Sequence, residues 1–192
     1  MSKFYKQIET NLRTFLEKQK MFFVATAPEK GRINISPKGL DSFKVLSPNQ
    51  VAYLDMTGSG NETSAHMKQN GRITLMFCAF EGEPNILRLY GNGRAVTAVS
   101  PDWEEFISLF DTVPTGTRQV MVVDIEEVQT ACGFGVPLYD YLGDRDDLTN
   151  HFERIGDKGT KEYQDRKNTV SIDGLETFPL RGSKLSGDFK LS

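Results

Sequence analysis

Phe4, Ile8, Leu12, Phe15 and Leu16 recur at helical spacing, so the pattern predicts an amphipathic helix over residues 3–19 with one stripe facing a core. After Met21 the period changes. Phe22–Ala27 is a short apolar run closed by Pro28 and Gly31, and Arg32–Ser36 alternates up to Pro37; both read as strands. Phe43–Leu46 and Gln50–Met56 follow as two more, split by Ser47-Pro48-Asn49. Gly58-Ser59-Gly60 interrupts the apolar pattern, and Asn61–Gln69 suits a short helix ended by Asn70-Gly71. Arg72–Phe80 is nearly all apolar and predicts a strand buried on both faces. Ile86–Ala98 is a long strand with Gly91 and Gly93 inside it, where glycines mark a bulge or sharp bend. Ser100-Pro101-Asp102 opens a helix carrying Trp103, Phe106, Ile107 and Phe110, and Gln119–Val128 is the last strong strand. Beyond Cys132 two helices are expected, 146–155 and 158–168, and then a polar tail over 177–192.

Short strands bounded by turns, without alternating helices, argue for an antiparallel barrel rather than a parallel βαβ sheet. The expected architecture is a mainly β, α+β chain: a six-stranded antiparallel split β-barrel with flanking helices and a C-terminal helical extension. Residues 1–135 would form the barrel with its N-terminal helix, and residues 136–192 the extension and tail, packed on the same domain.

Composition narrows the functional classes. The 192 residues carry a net charge of −3, which gives no electrostatic footprint for nucleic acid. No apolar run reaches the roughly 20 residues of a membrane span, and the charged opening segment lacks the core of a secretion signal. The expectation is a cytoplasmic protein in which Cys78 and Cys132 are buried reduced thiols. Two histidines and no CxxC or HExxH pair argue against a metal centre.

Candidate chemistry concentrates in Tyr53–Met67, YLDMTGSGNETSAHM. A strand runs through small residues into a helix, so backbone N–H groups converge where a phosphate could bind. Ser59 and Glu62 stand at capping-box spacing and could instead seal the helix end. Asn34, Ser36 and Lys38 in NISPKG offer polar groups and a cation at one barrel rim, or a solvated turn. Arg88, inside the apolar ILRLY, needs a partner: a carboxylate such as Asp55, or a ligand phosphate. Asp124 in VMVVDIEEV poses the same question, with an internal ion pair as its plain answer.

Taken in order, NISPKG, LDMTGSGNETSAHM, GRITLMFCAF, ILRLYGNGRAV and CGFGVPLYDY resemble the pyridoxamine 5′-phosphate oxidase-like family of FMN-binding split barrels, most of all its TGSGNET-bearing branch. The resemblance spans about residues 20–175. It implies a homodimer with FMN at the subunit interface. Asn34, Ser36 and Lys38 would line the site, and Thr57, Gly58, Ser59, Gly60, Asn61, Glu62 and Thr63 would meet the phosphate or ribityl chain. Arg88 would lie on a strand contacting the flavin, and Phe134 of CGFGVP would be a stacking candidate. The sequence departs from the oxidases where they place Ser-Arg-Lys, here Asn61-Glu62-Thr63, and Ile86 stands in place of a flavin-contacting Gln. The C-terminal Arg/His substrate element of the true oxidases has no counterpart. The implied function is an FMN-dependent oxidoreductase of unknown substrate. The alternatives are a flavin-binding sensor or store, or a barrel that has exchanged flavin for another phosphorylated ligand. Lys38 and Arg88 are the cations expected to balance the phosphate, since a helix N-terminus supplies only about half a charge against roughly −1.5 to −2.

Overall fold

The computed structural model describes residues 2–182. Among these, eight strands and four helices follow the chain as β1 (Lys3–Tyr5), α1 (Thr10–Lys18), β2 (Phe22–Thr26), β3 (Asn34–Lys38), β4 (Phe43–Ser47), β5 (Gln50–Met56), α2 (Glu62–Asn70), β6 (Arg72–Cys78), β7 (Ile86–Val96), α3 (Trp103–Ile107), β8 (Thr117–Ala131) and α4 (Asp147–Lys167). All pairings within the sheet are antiparallel, in the order β3-β2-β6-β7-β8-β5-β4, with β1 added on β8. This is the split barrel expected, built from eight strands rather than six.

The extra strand at the N-terminus corrects the helix predicted over 3–19. β5 pairs with β8 only as far as Asp124, so the same edge of β8 is unclaimed further on. Residues 3–5 take that edge, opposite Val128–Thr130, and satisfy backbone groups that would otherwise lack partners. The helix then starts only at Thr10, with Leu12 and Leu16 buried.

Two apolar clusters hold the sheet. Inside the barrel, Val24, Val51, Tyr53, Leu75, Phe77, Leu87, Leu89, Met121 and Val123 pack with Leu12 and Leu16 of α1. Phe22 is central there, with ring centroids 5.1–5.5 Å from Phe43, Tyr53 and Phe77. On the outside, Ala52, Leu54, Val120 and Val122 are covered by Phe106 and Phe110. β5 and the first half of β8, to Val123, are therefore buried on both faces. β6 is not: Thr74 and Met76 on its outer side are only half-buried, with no helix over them among the described residues.

Gly91 and Gly93 behave as their placement predicts. The β7–β8 register shifts between Tyr90 and Gly91, and a Cβ on Gly91 would lie 2.1 Å from the Asp124 carbonyl oxygen. A Cβ on Gly93 would meet Met67 Sδ of α2 at 2.5 Å, so this glycine lets the helix seat on the sheet. Other expectations are amended. Cys78 is buried but Cys132 is exposed. Asp124 is exposed and accepts a hydrogen bond from Gln50 Nε2 (2.8 Å) instead of forming an internal ion pair. The two C-terminal helices are the halves of α4, broken at Gly156, whose φ of 65° is left-handed. The part of the expected tail from residue 183 onward lies outside the described residues.

Gly91→Ala should destabilise the fold by about 3 kcal/mol or more, because the obstacle is backbone and cannot rotate away. Gly58→Ala, where a Cβ would meet nothing within 4 Å, should change stability by about 0.5 kcal/mol at most. Urea unfolding followed by circular dichroism distinguishes the two.

Candidate functional site

One carboxylate organises the barrel rim. Asp55, near the end of β5, has none of its surface exposed. Opposite it on β8 the register steps from Asp55–Gln119 to Met56–Thr117, so Arg118 is the extra residue of a bulge. A bulge re-aims a side chain, and here Arg118 and Gln119 both reach the same carboxylate. Asp55 Oδ2 accepts from Arg118 Nε (2.8 Å) and Gln119 Nε2 (2.7 Å), while Oδ1 accepts from Lys38 Nζ (2.7 Å) at the end of β3. Burial alone would raise the Asp55 pKa, but Arg118 and then Lys38 overcome it and hold the carboxyl well below the usual carboxylate range.

The same groups fix the turn after β5. Arg118 Nη1 donates to the Gly60 carbonyl (2.8 Å), and Gln119 Nε2 also donates to Asn61 Oδ1 (2.8 Å). Asn61 is the residue before α2, and its side chain is spent on Gln119 and on the Asn168 carbonyl (3.1 Å). The Ser59–Glu62 capping box is not formed. Glu62 instead accepts the Ile172 N–H with both carboxylate oxygens (3.1 Å each), and among the described residues no side chain caps the first-turn amides of α2. Thr57 Oγ1 accepts from Gln164 Nε2 (2.8 Å), and Asn168 Nδ2 donates to the Gly58 carbonyl (3.0 Å).

Beside this network lies a cleft of about 520 Å³. Its wall includes Asn34, Ser36 and Lys38 from β3, Met56 from the end of β5, Gly58, Ser59 and Gly60 from the turn, Glu62 and Thr63 from α2, and Arg118 from β8. Arg166, Lys167, Val170, Ser171 and Ile172 complete the lining. Asn34 Nδ2 donates to Thr63 Oγ1 (3.1 Å), joining the two motifs singled out in the sequence. Four cations, Lys38, Arg118, Arg166 and Lys167, face one lining carboxylate, Glu62, with Asp55 directly behind. The local balance is two positive charges.

Of the twelve residues selected from sequence, eight line this cleft and two more, Thr57 and Asn61, are buried behind it. Arg88 and Phe134 do not line it. Arg88 is half-buried on the outer face of β7, level with Met76 and Gln129, and makes no ion pair or side-chain hydrogen bond among the described residues. Its expected partner Asp55 is already held by Lys38 and Arg118. Phe134 has 82% of its surface exposed. Arg118, Arg166 and Lys167 escaped the sequence reading. Beginning the last strand at Gln119 left Arg118 in a loop, and nothing in sequence brings α4 back to residue 60.

A family model for pyridoxamine 5′-phosphate oxidase matches residues 8–132. The pyridoxamine 5′-phosphate oxidase family protein ustO of Aspergillus flavus is 42% identical over 189 residues, covering 90% of this chain and 76% of that protein. The chain belongs to the pyridoxamine 5′-phosphate oxidase family. Solved structures of the same fold include HupZ of Group A Streptococcus, with a TM-score of 0.51 at 21% identity over 63% of this chain and 91% of that one. A candidate oxidase of the family from Lactobacillus delbrueckii has a TM-score of 0.51 at 17% identity, over 65% of this chain and 94% of its own. The family match ends at residue 132, so the cleft's α4 wall lies beyond it.

His66, also buried, holds Thr26 Oγ1 through Nδ1 (2.9 Å), and burial lowers its pKa. Both Asp55 and His66 therefore bind fewer protons folded than unfolded, and stability falls on acidification in two windows. The His66 part is complete above the unfolded value of about 6.5 and declines as pH drops below it. The Asp55 part is complete above about 3.9 and is lost further down. Unfolding free energies measured from pH 8 to pH 3 should lose the upper slope in His66→Gln. Asp55→Asn, which leaves Lys38 and Arg118 without their anion, should cost about 3 kcal/mol at neutral pH.

Proposed function

We propose that the chain is an FMN-binding oxidoreductase of unknown substrate, with the flavin phosphate against the Gly58–Thr63 turn. The observation that carries this reading is the charge of the cleft: two net positive charges beside uncapped α2 amides, on the fold of this family. A phosphate monoester carries about −1.5 to −2 at neutral pH, and helix N-termini bind such anions through backbone N–H groups and the dipole. The residues fit the group in two further respects. The space above Gly58 is open to a ligand, and Met56, Val170 and Ile172 supply apolar contact beside the polar wall.

In this reading Asn34, Ser36, Ser59 and Thr63 orient the ligand by hydrogen bonds, and the Asp55 network keeps Lys38 and Arg118 in place. Bound flavin supplies the electron or hydride transfer. The barrel to residue 135 and the extension from 136 act as one unit, in the cytoplasm.

The reading also includes a homodimer with FMN at its interface. The uncovered outer face of β6 and β7 carries Met76, Arg88 and Tyr90, and the segment after β8 exposes Phe134, Leu138 and Leu142. A second copy covering that surface would bury Phe134, Leu138 and Leu142.

Purified protein should show the flavin absorption bands or acquire them on titration with FMN. FAD should bind at least tenfold more weakly, because the turn offers room for one phosphate. Tighter FAD binding would overturn the FMN assignment, and absence of binding to either would overturn the flavin reading. Bleaching of the band by NADH or NADPH under anaerobic conditions tests turnover. Sedimentation at micromolar concentration should give twice the chain mass.

A further inference from the structure

Two of the four cations in the cleft are already committed and two are not. Lys38 and Arg118 both bond Asp55. Arg166 and Lys167, in the last turn of α4, are exposed and make no ion pair or side-chain hydrogen bond among the described residues; Arg166 lies 5.7 Å from the Tyr163 ring centroid. Their positions are nevertheless fixed. Gln164 and Asn168, which flank them, are buried and bonded to Thr57 and Gly58 of the turn. The chain beyond them is equally tied. Thr177 Oγ1 donates to the Asn168 carbonyl (2.9 Å), Phe178 N to Ser64 Oγ (3.1 Å), and Lys68 pairs with Glu176 (3.0 Å).

A helix C-terminus would ordinarily repel an anion. Here its final carbonyls are partly occupied: Gln164 O accepts from Asn168 N (2.8 Å) and Asp165 O from Thr169 Oγ1 (3.4 Å). The two side chains thus present their charge to the cleft from a braced backbone. They line the same cleft as the turn, whose own segment Asn61-Glu62-Thr63 supplies no cation.

Resting on the cleft as a phosphate-binding flavin site, we propose that the C-terminal extension is part of that site: Arg166 and Lys167 hold the phosphomonoester. The extension thereby selects phosphorylated over unphosphorylated ligands, a task given to residues outside the segment matched by the family model.

The test is the double variant Arg166→Met/Lys167→Met, titrated in the full-length protein with FMN and with riboflavin. Lys158→Met, which removes a charge from a residue outside the cleft, serves as control. Loss of charge-assisted hydrogen bonds should raise the FMN Kd of the double variant about ten- to a hundredfold. Riboflavin affinity, the FMN Kd of the control and the melting temperature should stay near wild type. An FMN Kd that does not move, or riboflavin weakened as much as FMN, overturns the proposal. If wild-type protein takes up neither flavin, the flavin reading fails, and inorganic phosphate then decides the inference by thermal shift. Phosphate that stabilises wild type but not the double variant supports it, and equal stabilisation of both overturns it.

Discussion

A carboxylate shut off from water must be met by cations and donors, and at Asp55 that requirement sets the positions of three pieces of chain: β3, the β8 bulge and the turn after β5. Lys38 has to arrive from β3, while the β8 bulge has to turn Arg118 and Gln119 to one side. Having reached Asp55, those two side chains still have donor capacity, which they spend on Gly60 and Asn61. The turn after β5 is thus shaped from behind by the sheet. Buried ion pairs contribute little net stability compared with apolar packing, but they penalise any register that separates the partners. In this barrel the register so protected is the one that opens the cleft.

The extension completes what the sheet begins. Asn61, unable to cap its helix because its side chain bonds Gln119 and Asn168, leaves the α2 amides open. Glu62, an anion where a phosphate site would favour a cation, is turned onto the Ile172 amide. Pro37 fits the same arrangement. It is tolerated in β3 because that strand is at the end of the sheet order and has one side without a partner.

Much of this was legible in sequence, for reasons that particular residues make plain. The TGSGNET turn stands out because glycine and small polar residues interrupt a strongly apolar strand, and the β7 glycines announce a bulge that the structure contains. Ten of twelve chosen residues lie in or directly behind the cleft because they belong to local motifs on two neighbouring segments. The misses are all long-range. Arg88 looked unpartnered in an apolar strand, but alternation places it on the uncovered outer face, and the charge Asp55 needs comes from residues 38 and 118. Arg166 and Lys167 read as the polar end of a surface helix; only tertiary hydrogen bonds at Gln164 and Asn168 reveal that this end meets the turn. The N-terminal strand was hidden because Phe4 fits a helical stripe, while an open β8 edge has no signature in the residues that fill it.

The central claim is that the rim of this barrel holds a phosphate monoester in a net positive field. Phosphorus NMR of the FMN-loaded protein tests it without any substitution. Free FMN phosphate takes up its second proton near pH 6, whereas a dianion held by uncapped amides, Arg166 and Lys167 should keep its proton-free signal down to about pH 5 or lower. A bound phosphate that titrates as it does in free FMN would contradict the account.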